Sequence, residues 1–254
     1  MRVFDHKLGK KDAFLRFYLH ADLSRIGYSG MSFPEKRRAV LIIPGGGYNH
    51  ISEREAEPVA ISFFEKGYEC AVLYYSVGED MAHSNPIEEA AEAVSVLRRL
   101  ESVDEKKITA IGFSAGGHLA AMLAEHGCEF SNDAELNALI LAYPVITMGK
   151  YTHRGSHGLI VSVLSNEVYL SAEMNVSSSF PPTYIWATRT DETVDVRNSL
   201  MMYEAVIEKG IYSELHIYPE GFHGLSLATA ETGRCLPYVT SWLDDASRFL
   251  DSVF

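Results

Sequence analysis

Residues 107–120 read KITAIGFSAGGHLA, and their pattern predicts a strand, a tight turn and a helix in succession. Its centre, residues 112–116 (GFSAG), matches the G-x-S-x-G pattern of a tight turn that joins a strand to a helix and presents a serine hydroxyl. An apolar run of strand length precedes Ser114, and a helical pattern follows it. Gly112 and Gly116 remove side chains that would clash within so tight a turn. The stretch therefore predicts Ser114 as a nucleophile and the backbone N–H of Ala115 as a donor in front of it.

The rest of the chain alternates apolar runs of strand length with segments of helical period, which is typical of a mostly parallel sheet covered by helices. The clearest helix begins at Asn85-Pro86 and carries an apolar stripe from Ile87 to Leu97. We interpret residues 1–254 as a single α/β domain. Residues 147–180 are long for a connection and predict a small insertion over the site. Candidate strands span residues 14–21, 39–44, 69–75, 107–113, 137–143, 183–188 and 213–218.

The composition limits the partners. Hydrophobic residues make up 47% of the chain and charged residues 22%, as in ordinary globular proteins. The 34 acidic side chains outnumber the 22 basic ones, so the formal net charge is −12. Such a chain has no electrostatic reason to bind nucleic acid or an anionic membrane, and it repels polyanionic substrates. We therefore expect a small, neutral ligand; a homo-oligomer stays open.

The cysteines indicate a reducing compartment. Cys70, Cys128 and Cys235 are scattered and odd in number, which disfavours a disulfide framework or a zinc site. The first residues lack the unbroken apolar stretch of a secretion signal, so we expect a cytoplasmic protein. His118 stands alone at the start of a helix and is interpreted as packed or capping rather than metal-binding. We expect neither a metal nor a cofactor.

A second glycine-rich turn follows an earlier strand. Residues 41–50 read LIIPGGGYNH, and three consecutive glycines allow the backbone to direct its N–H groups toward a developing negative charge. We expect Gly46, Gly47 and Ala115 to form an oxyanion hole. Tyr48 adjoins this turn and is expected to lie beside the substrate.

A serine hydroxyl needs a base, and the best candidate lies near the end of the chain. His223 follows the last predicted strand in a loop, between Gly221 and Gly224, whereas His216 lies within that strand. The acid is expected after the preceding strand, where Asp191 stands, with Glu192 and Asp195 as competitors. The other late histidines are His153 and His157.

Taken together, these segments resemble a known family. The stretches PGGGY, GFSAGGHLAA, AYPVITM, FPPTYIW and HIYPEGFHGLSLA resemble the acetyl-xylan-esterase-like branch of the α/β hydrolases, which includes bifunctional feruloyl and acetyl esterases. The resemblance implies an eight-stranded hydrolase sheet and a triad of Ser114, Asp191 and His223. It also implies carboxylic ester substrates, often O-acetyl groups on sugars or xylo-oligosaccharides. Two departures affect the acid loop: Asp195 replaces a usual proline, and Arg189-Thr190 precede the acid.

We therefore expect a serine ester hydrolase that acts on short acyl esters. Two alternatives stay open. The same triad could hydrolyse small amides or peptides, and the fold could serve as a non-catalytic binding protein.

Overall fold

The sheet is the frame on which the site is built. The computed structural model describes residues 1–9, 12–23, 32–164 and 166–254. Within these residues, eight strands form one sheet in the order β1-β2-β4-β3-β5-β6-β7-β8. The strands from β3 to β8 run parallel, while β1 and β2 are antiparallel to their neighbours. The strands are β1 (Arg2–Lys7), β2 (Phe14–Leu19), β3 (Arg37–Ile43), β4 (Glu69–Tyr74), β5 (Val103–Phe113), β6 (Ala138–Ala142), β7 (Thr183–Thr188) and β8 (Ser213–Tyr218).

Helices cover both faces of this sheet. One face packs against α1 and α8, and the other against α2, α3 and α6. The central strands are buried on both sides, which explains why they read as continuous apolar runs rather than as alternating patterns. The α-helices of the described chain are α1 (Glu57–Glu65), α2 (Pro86–Arg98), α3 (Ala115–Phe130), α4 (Arg154–Leu164), α5 (Glu167–Leu170), α6 (Arg197–Glu208), α7 (Pro237–Thr240) and α8 (Trp242–Val253).

The predicted α/β class is confirmed, and the start of α2 follows the predicted pattern. Pro86 is its first residue, and the Asn85 side chain accepts a hydrogen bond from the N–H of Ile87 at 3.0 Å. The apolar stripe from Ile87 to Leu97 is buried against the sheet.

Some boundaries differ from the predicted ones. Strand β1 has no counterpart among the predicted strands, because its residues are all exposed at the sheet edge and form no apolar run. The strand predicted over 107–113 begins at Val103; this valine is buried, but the polar residues 104–107 that follow it are half-buried or exposed and interrupt the apolar run. The strand predicted over 14–21 ends at Leu19.

The stretch 147–180 contains regular structure of its own. It holds α4, α5 and a short 3₁₀ turn at Ala172–Met174, while residue 165 lies outside the described residues. Its interpretation as an insertion within a single domain over 1–254 stays a prediction.

The carboxyl ends of the parallel strands meet at one edge of the sheet. In the register, Ile43 pairs with Gly112 and Phe113 with Ala142, so the loops after β3, β5 and β6 leave the sheet side by side. This edge is where open α/β sheets place their ligand sites. The loops after β7 and β8 leave at the same edge.

Candidate active site

The turn after β5 holds Ser114 in a strained conformation. Its φ is 53° and its ψ −116°, in a region that non-glycine residues rarely occupy. The turn is held by neighbours: the Ser114 N–H donates to Ala142 O at 3.0 Å, and the Val145 N–H donates to Ser114 O at 3.0 Å. The loop after β6 thus fixes the backbone that presents the serine.

The two motif glycines are required by close backbone packing. A Cβ at Gly112 would lie 2.2 Å from the carbonyl oxygen of Gly116, and one at Gly116 would lie 2.1 Å from that of Ile43. No rotamer relieves such contacts, because the obstructing atoms are backbone. The two glycines of the G-x-S-x-G pattern are therefore needed because α3 packs so closely against β3 and β5.

Ser114, His223 and Asp191 form a continuous hydrogen-bonded chain. The Oγ of Ser114 lies 2.7 Å from Nε2 of His223, and Nδ1 of His223 lies 2.7 Å from Oδ2 of Asp191. The second oxygen of Asp191 accepts the N–H groups of Thr193 at 2.9 Å and Val194 at 3.0 Å. A carboxylate can only accept hydrogen bonds, so the hydrogen between Asp191 and Nδ1 belongs to the imidazole. Nε2 then accepts the hydrogen bond of the serine hydroxyl.

The competing acids point elsewhere. The Asp195 carboxylate pairs with Arg197, and this hydrogen bond lowers the pKa of Asp195. Glu192 is exposed, whereas the side chain of Asp191 is 1% exposed beside His223. Of the three predicted candidates, the structure brings Asp191 to the imidazole.

The other late histidines bind local partners. His157 pairs with Glu167 and His216 with Glu214. His153 accepts the Ser156 N–H on Nδ1 at 3.3 Å, and burial together with the neighbouring His223 lowers its pKa. These three rings therefore have partners other than Ser114.

Thr190 joins the acid loop (residues 189–195) to the His223 loop (residues 219–226). Its hydroxyl donates to Gly221 O at 3.0 Å and accepts the Gly221 N–H at 2.9 Å. Gly221 has a φ of 155°, and a Cβ there would lie 2.6 Å from Cγ2 of Thr188. Thr190, one of the two residues that depart from the family pattern before the acid, thus links the two loops.

The PGGG loop (residues 44–47) offers backbone donors next to Ser114. Gly46 has a φ of 126°, and a Cβ there would lie 1.8 Å from His50 O. The Gly45 N–H is already engaged with Glu55. The N–H groups of Gly46, Gly47 and Ala115 find no acceptor among the described residues, as an oxyanion hole requires.

A buried carboxylate that the sequence analysis missed ties three loops together. Glu55 is 2% exposed and accepts the Gly45 N–H at 2.8 Å and the Tyr143 hydroxyl at 2.7 Å. The same hydroxyl accepts the Ser226 N–H at 2.8 Å, and Ser226 O accepts the Trp242 indole N–H at 3.0 Å. Burial, reinforced by the Glu55 charge, raises the pKa of Tyr143 well above its ordinary value. The tyrosine therefore stays a neutral donor.

Tyr48 lies deeper than the sequence analysis expected. Its side chain is 1% exposed, and its hydroxyl lies 2.7 Å from Nδ1 of His118. Its φ of 63° turns the ring toward the core beside Tyr75. A contact between Tyr48 and a substrate would therefore have to come from the backbone.

His118 links Tyr48, which directly follows the PGGG loop, to α5. Its Nε2 lies 2.7 Å from Leu170 O, which can only accept, so Nε2 carries the proton and Nδ1 accepts from Tyr48. Burial lowers the pKa of His118 from 6.5 to about 4. It is a neutral packing residue, and the described residues contain no group of three or more side chains placed to hold a metal.

None of the helices in the described part of the chain is long and apolar enough to cross a membrane.

Comparison with known proteins shows the family to which the chain belongs. The BD-FAE family model matches residues 28–206. Endo-1,4-beta-xylanase B from Butyrivibrio fibrisolvens is 36% identical in an alignment of 213 positions that covers 77% of this chain and 34% of that protein. Acetylxylan esterase from Xylanibacter ruminicola is 27% identical in an alignment of 233 positions that covers 85% of this chain and 46% of that protein. The chain thus spans less than half the length of these curated relatives.

A solved structure extends the likeness over nearly the whole chain. The acetyl ester-xyloside bifunctional hydrolase from Caldicellulosiruptor lactoaceticus superposes with a TM-score of 0.80 at 29% identity, covering 96% of this chain and 89% of that one. The carboxylesterase Cest-2923 from Lactobacillus plantarum superposes with a TM-score of 0.85 at 23% identity, covering 99% and 98%, and shows the fold alone. With the family match over most of its length, the chain belongs to the BD-FAE family of α/β hydrolases.

Proposed function

We propose that this protein is a serine ester hydrolase that removes short acyl groups, chiefly acetyl, from sugars or xylo-oligosaccharides. One observation carries the proposal: Ser114 Oγ lies 2.7 Å from Nε2 of His223, whose Nδ1 lies 2.7 Å from Asp191. A nucleophile, a base and an acid that orients the base are the parts that acyl transfer needs.

The reaction proceeds in two halves. Ser114 Oγ attacks the ester carbonyl carbon while its proton passes to Nε2 of His223, and Asp191 stabilises the imidazolium that forms. The tetrahedral intermediate collapses, the C–O bond to the alcohol breaks, and Nε2 returns its proton to the leaving oxygen. Water then attacks the acyl-enzyme, with His223 again taking and returning a proton, and the carboxylic acid is released.

The PGGG loop supplies electrostatic stabilisation. In both tetrahedral intermediates the carbonyl oxygen carries negative charge, and the unengaged N–H groups of Gly46, Gly47 and Ala115 are its proposed donors. Loss of one such donor typically costs about 10²–10³-fold in kcat. The Gly45–Glu55 bond keeps the loop in place without using these three donors.

The substrate class rests on relatives and on charge. The named relatives include an acetylxylan esterase and an acetyl ester-xyloside hydrolase. The net charge of −12 disfavours anionic substrates and fits a neutral sugar ester.

A substrate panel tests the proposal. We expect the protein to hydrolyse 4-nitrophenyl acetate faster than the butanoate or octanoate, and to release acetate from acetylated xylo-oligosaccharides. Methyl ferulate serves as the aromatic acyl comparison. Faster hydrolysis of 4-nitroacetanilide than of 4-nitrophenyl acetate would indicate an amide hydrolase, and a preference for octanoate would overturn the short-acyl assignment while leaving the triad.

A further inference from the structure

A surface groove next to His223 is not used by the chemistry described above. It has a volume of about 500 Å³ and is lined by residues of the acid loop, the His223 loop and the segment 234–238. This volume falls in the range of about 300–1,000 Å³ that is usual for small-ligand sites. We call it the His223 groove.

Two large aromatic side chains lie open in this groove. Phe222 is 39% exposed and Tyr238 is 45% exposed. The Arg234 guanidinium lies 5.4 Å from the centre of the Phe222 ring, and the Tyr238 hydroxyl donates to Glu220 O at 3.3 Å. The rings are therefore held in place while part of their surface still faces solvent.

The rest of the lining is polar. Glu192, Thr193 and Arg234 offer acceptors and donors beside the rings. Apolar ring faces bordered by hydrogen-bonding groups suit a ligand whose own surface alternates between C–H faces and hydroxyl edges, as that of a sugar does. The carboxylate of Glu192 also disfavours an anionic ligand.

The groove adjoins the residue that protonates the alcohol in the proposed reaction. Nε2 of His223 must protonate the leaving oxygen, so the alcohol part of an ester lies against His223 during the reaction. His223 itself lines the groove. A substituent that extends from the alcohol can therefore pass from Ser114 over His223 into this space.

We propose that the His223 groove binds the carbohydrate part of the substrate, a short neutral oligosaccharide, with its sugar rings against Phe222 and Tyr238. This inference rests on the proposed esterase function and specifies which residues recognise the alcohol. The acyl group lies on the other side of the reacting carbon, so residues outside this groove select for acyl-chain length.

Two substrates that share an acyl group separate the groove from the triad. Acetylated xylotetraose occupies the groove, whereas 4-nitrophenyl acetate has too small an alcohol to reach both rings. We expect Phe222→Ala and Tyr238→Ala to lower kcat/KM for acetylated xylotetraose about fivefold more than for 4-nitrophenyl acetate, the size expected of one lost ring contact. Phe222→Trp, which keeps an aromatic face, should retain most of the preference.

Phe130→Ala is the matched control. Phe130 is 40% exposed, close to the 39% of Phe222, but it lies at the end of α3 that is remote from Ser114. Its removal should leave the ratio of the two kcat/KM values at the wild-type level. Unacetylated xylotetraose should also inhibit the wild type competitively, and this inhibition should weaken in Phe222→Ala.

The outcomes distinguish the two proposals. An equal ratio in wild type, Phe222→Ala and Tyr238→Ala overturns the groove assignment while the esterase function stands. If the wild type hydrolyses 4-nitrophenyl acetate but not acetylated xylotetraose, both the groove assignment and the proposed carbohydrate substrate are overturned, while the ester-hydrolase chemistry stands. A wild type that hydrolyses neither ester and resists an organophosphonate overturns the proposed function itself.

Discussion

The Oγ of Ser114 and Nε2 of His223 lie 2.7 Å apart although 109 residues separate them in the chain. The two residues lie on loops after β5 and β8, which β6 and β7 hold apart within the sheet. The Tyr143 ring bridges this gap: its centre lies 5.1 Å from that of His223, and its hydroxyl binds Glu55 beneath the PGGG loop. The distance between Ser114 and His223 therefore depends on the loops after β3, β5, β6 and β8 together.

Ser114→Ala should abolish covalent labelling by a fluorophosphonate, because this reagent is attacked by the activated hydroxyl. Intact-protein mass spectrometry should show one adduct on the wild type and none on the variant. Ser156→Ala is the control: this serine is also buried, and the variant should label like the wild type. Labelling of Ser114→Ala would show that another residue is the nucleophile.

Asp191→Asn should lower kcat by roughly 10³–10⁴-fold, because an amide cannot stabilise the imidazolium and favours the wrong tautomer. Steady-state kinetics with 4-nitrophenyl acetate measure the loss. Asp195→Asn should change kcat less than about threefold, since its pair with Arg197 lies at the surface. If the Asp195 variant lost as much activity as the Asp191 variant, the acid would have been misassigned.

Gly46→Ala should lower kcat by about 10²-fold or more, because the new Cβ would lie 1.8 Å from His50 O and force the donor loop to move. Gly210→Ala is the control: its φ is also positive, at 71°, but nothing lies within 4 Å of its added Cβ. That variant should lose about 1 kcal/mol of stability and keep its kcat. Equal kcat values for both variants and wild type would remove the PGGG loop from the mechanism.

Tyr48→Phe should lower the free energy of unfolding by about 1–3 kcal/mol, because it leaves Nδ1 of His118 buried without its donor. Urea denaturation measures this loss, and KM for 4-nitrophenyl acetate should stay close to the wild-type value. A large rise in KM with unchanged stability would instead support the substrate contact that the sequence suggested.

His118 predicts a pH dependence of stability. Its pKa is about 4 in the folded protein and 6.5 when exposed, so the unfolded chain binds a proton first as the pH falls. Stability is therefore full above pH 6.5 and declines between 6.5 and about 4, by roughly 3 kcal/mol for this shift. His118→Gln should flatten the decline in urea midpoints over this range. A decline of the same slope in both proteins would assign it to other groups.

The sheet and most of the loops that carry the site could be predicted, because each is marked by a short sequence pattern. The G-x-S-x-G pattern, the glycine run before Tyr48 and the loop around His223 each lie directly after a predicted strand, and parallel strands bring such loops to one edge. For the acid, the sequence leaves three neighbouring candidates, Asp191, Glu192 and Asp195. In the structure, it is Asp191 that lies within hydrogen-bond distance of His223.

Other features of the site could not be predicted, because they depend on contacts between residues that are distant in the chain and form no repeating pattern. Glu55 reads as one charge among several in a polar stretch, and its burial follows from Gly45 and Tyr143, which are distant in the chain. Tyr48 adjoins the donor loop in sequence, but its positive φ directs the ring inward. The exposed strand β1 has no apolar face to reveal it.

The bond between Trp242 and Ser226 has a consequence for the timing of synthesis. The Ser114 turn is synthesised well before Trp242, whose indole anchors the loop that carries His223. Until Trp242 has left the ribosome, that loop lacks this anchor and His223 is not held beside Ser114. In the proposed mechanism, a nascent chain therefore carries a serine without its base until α8 has been made.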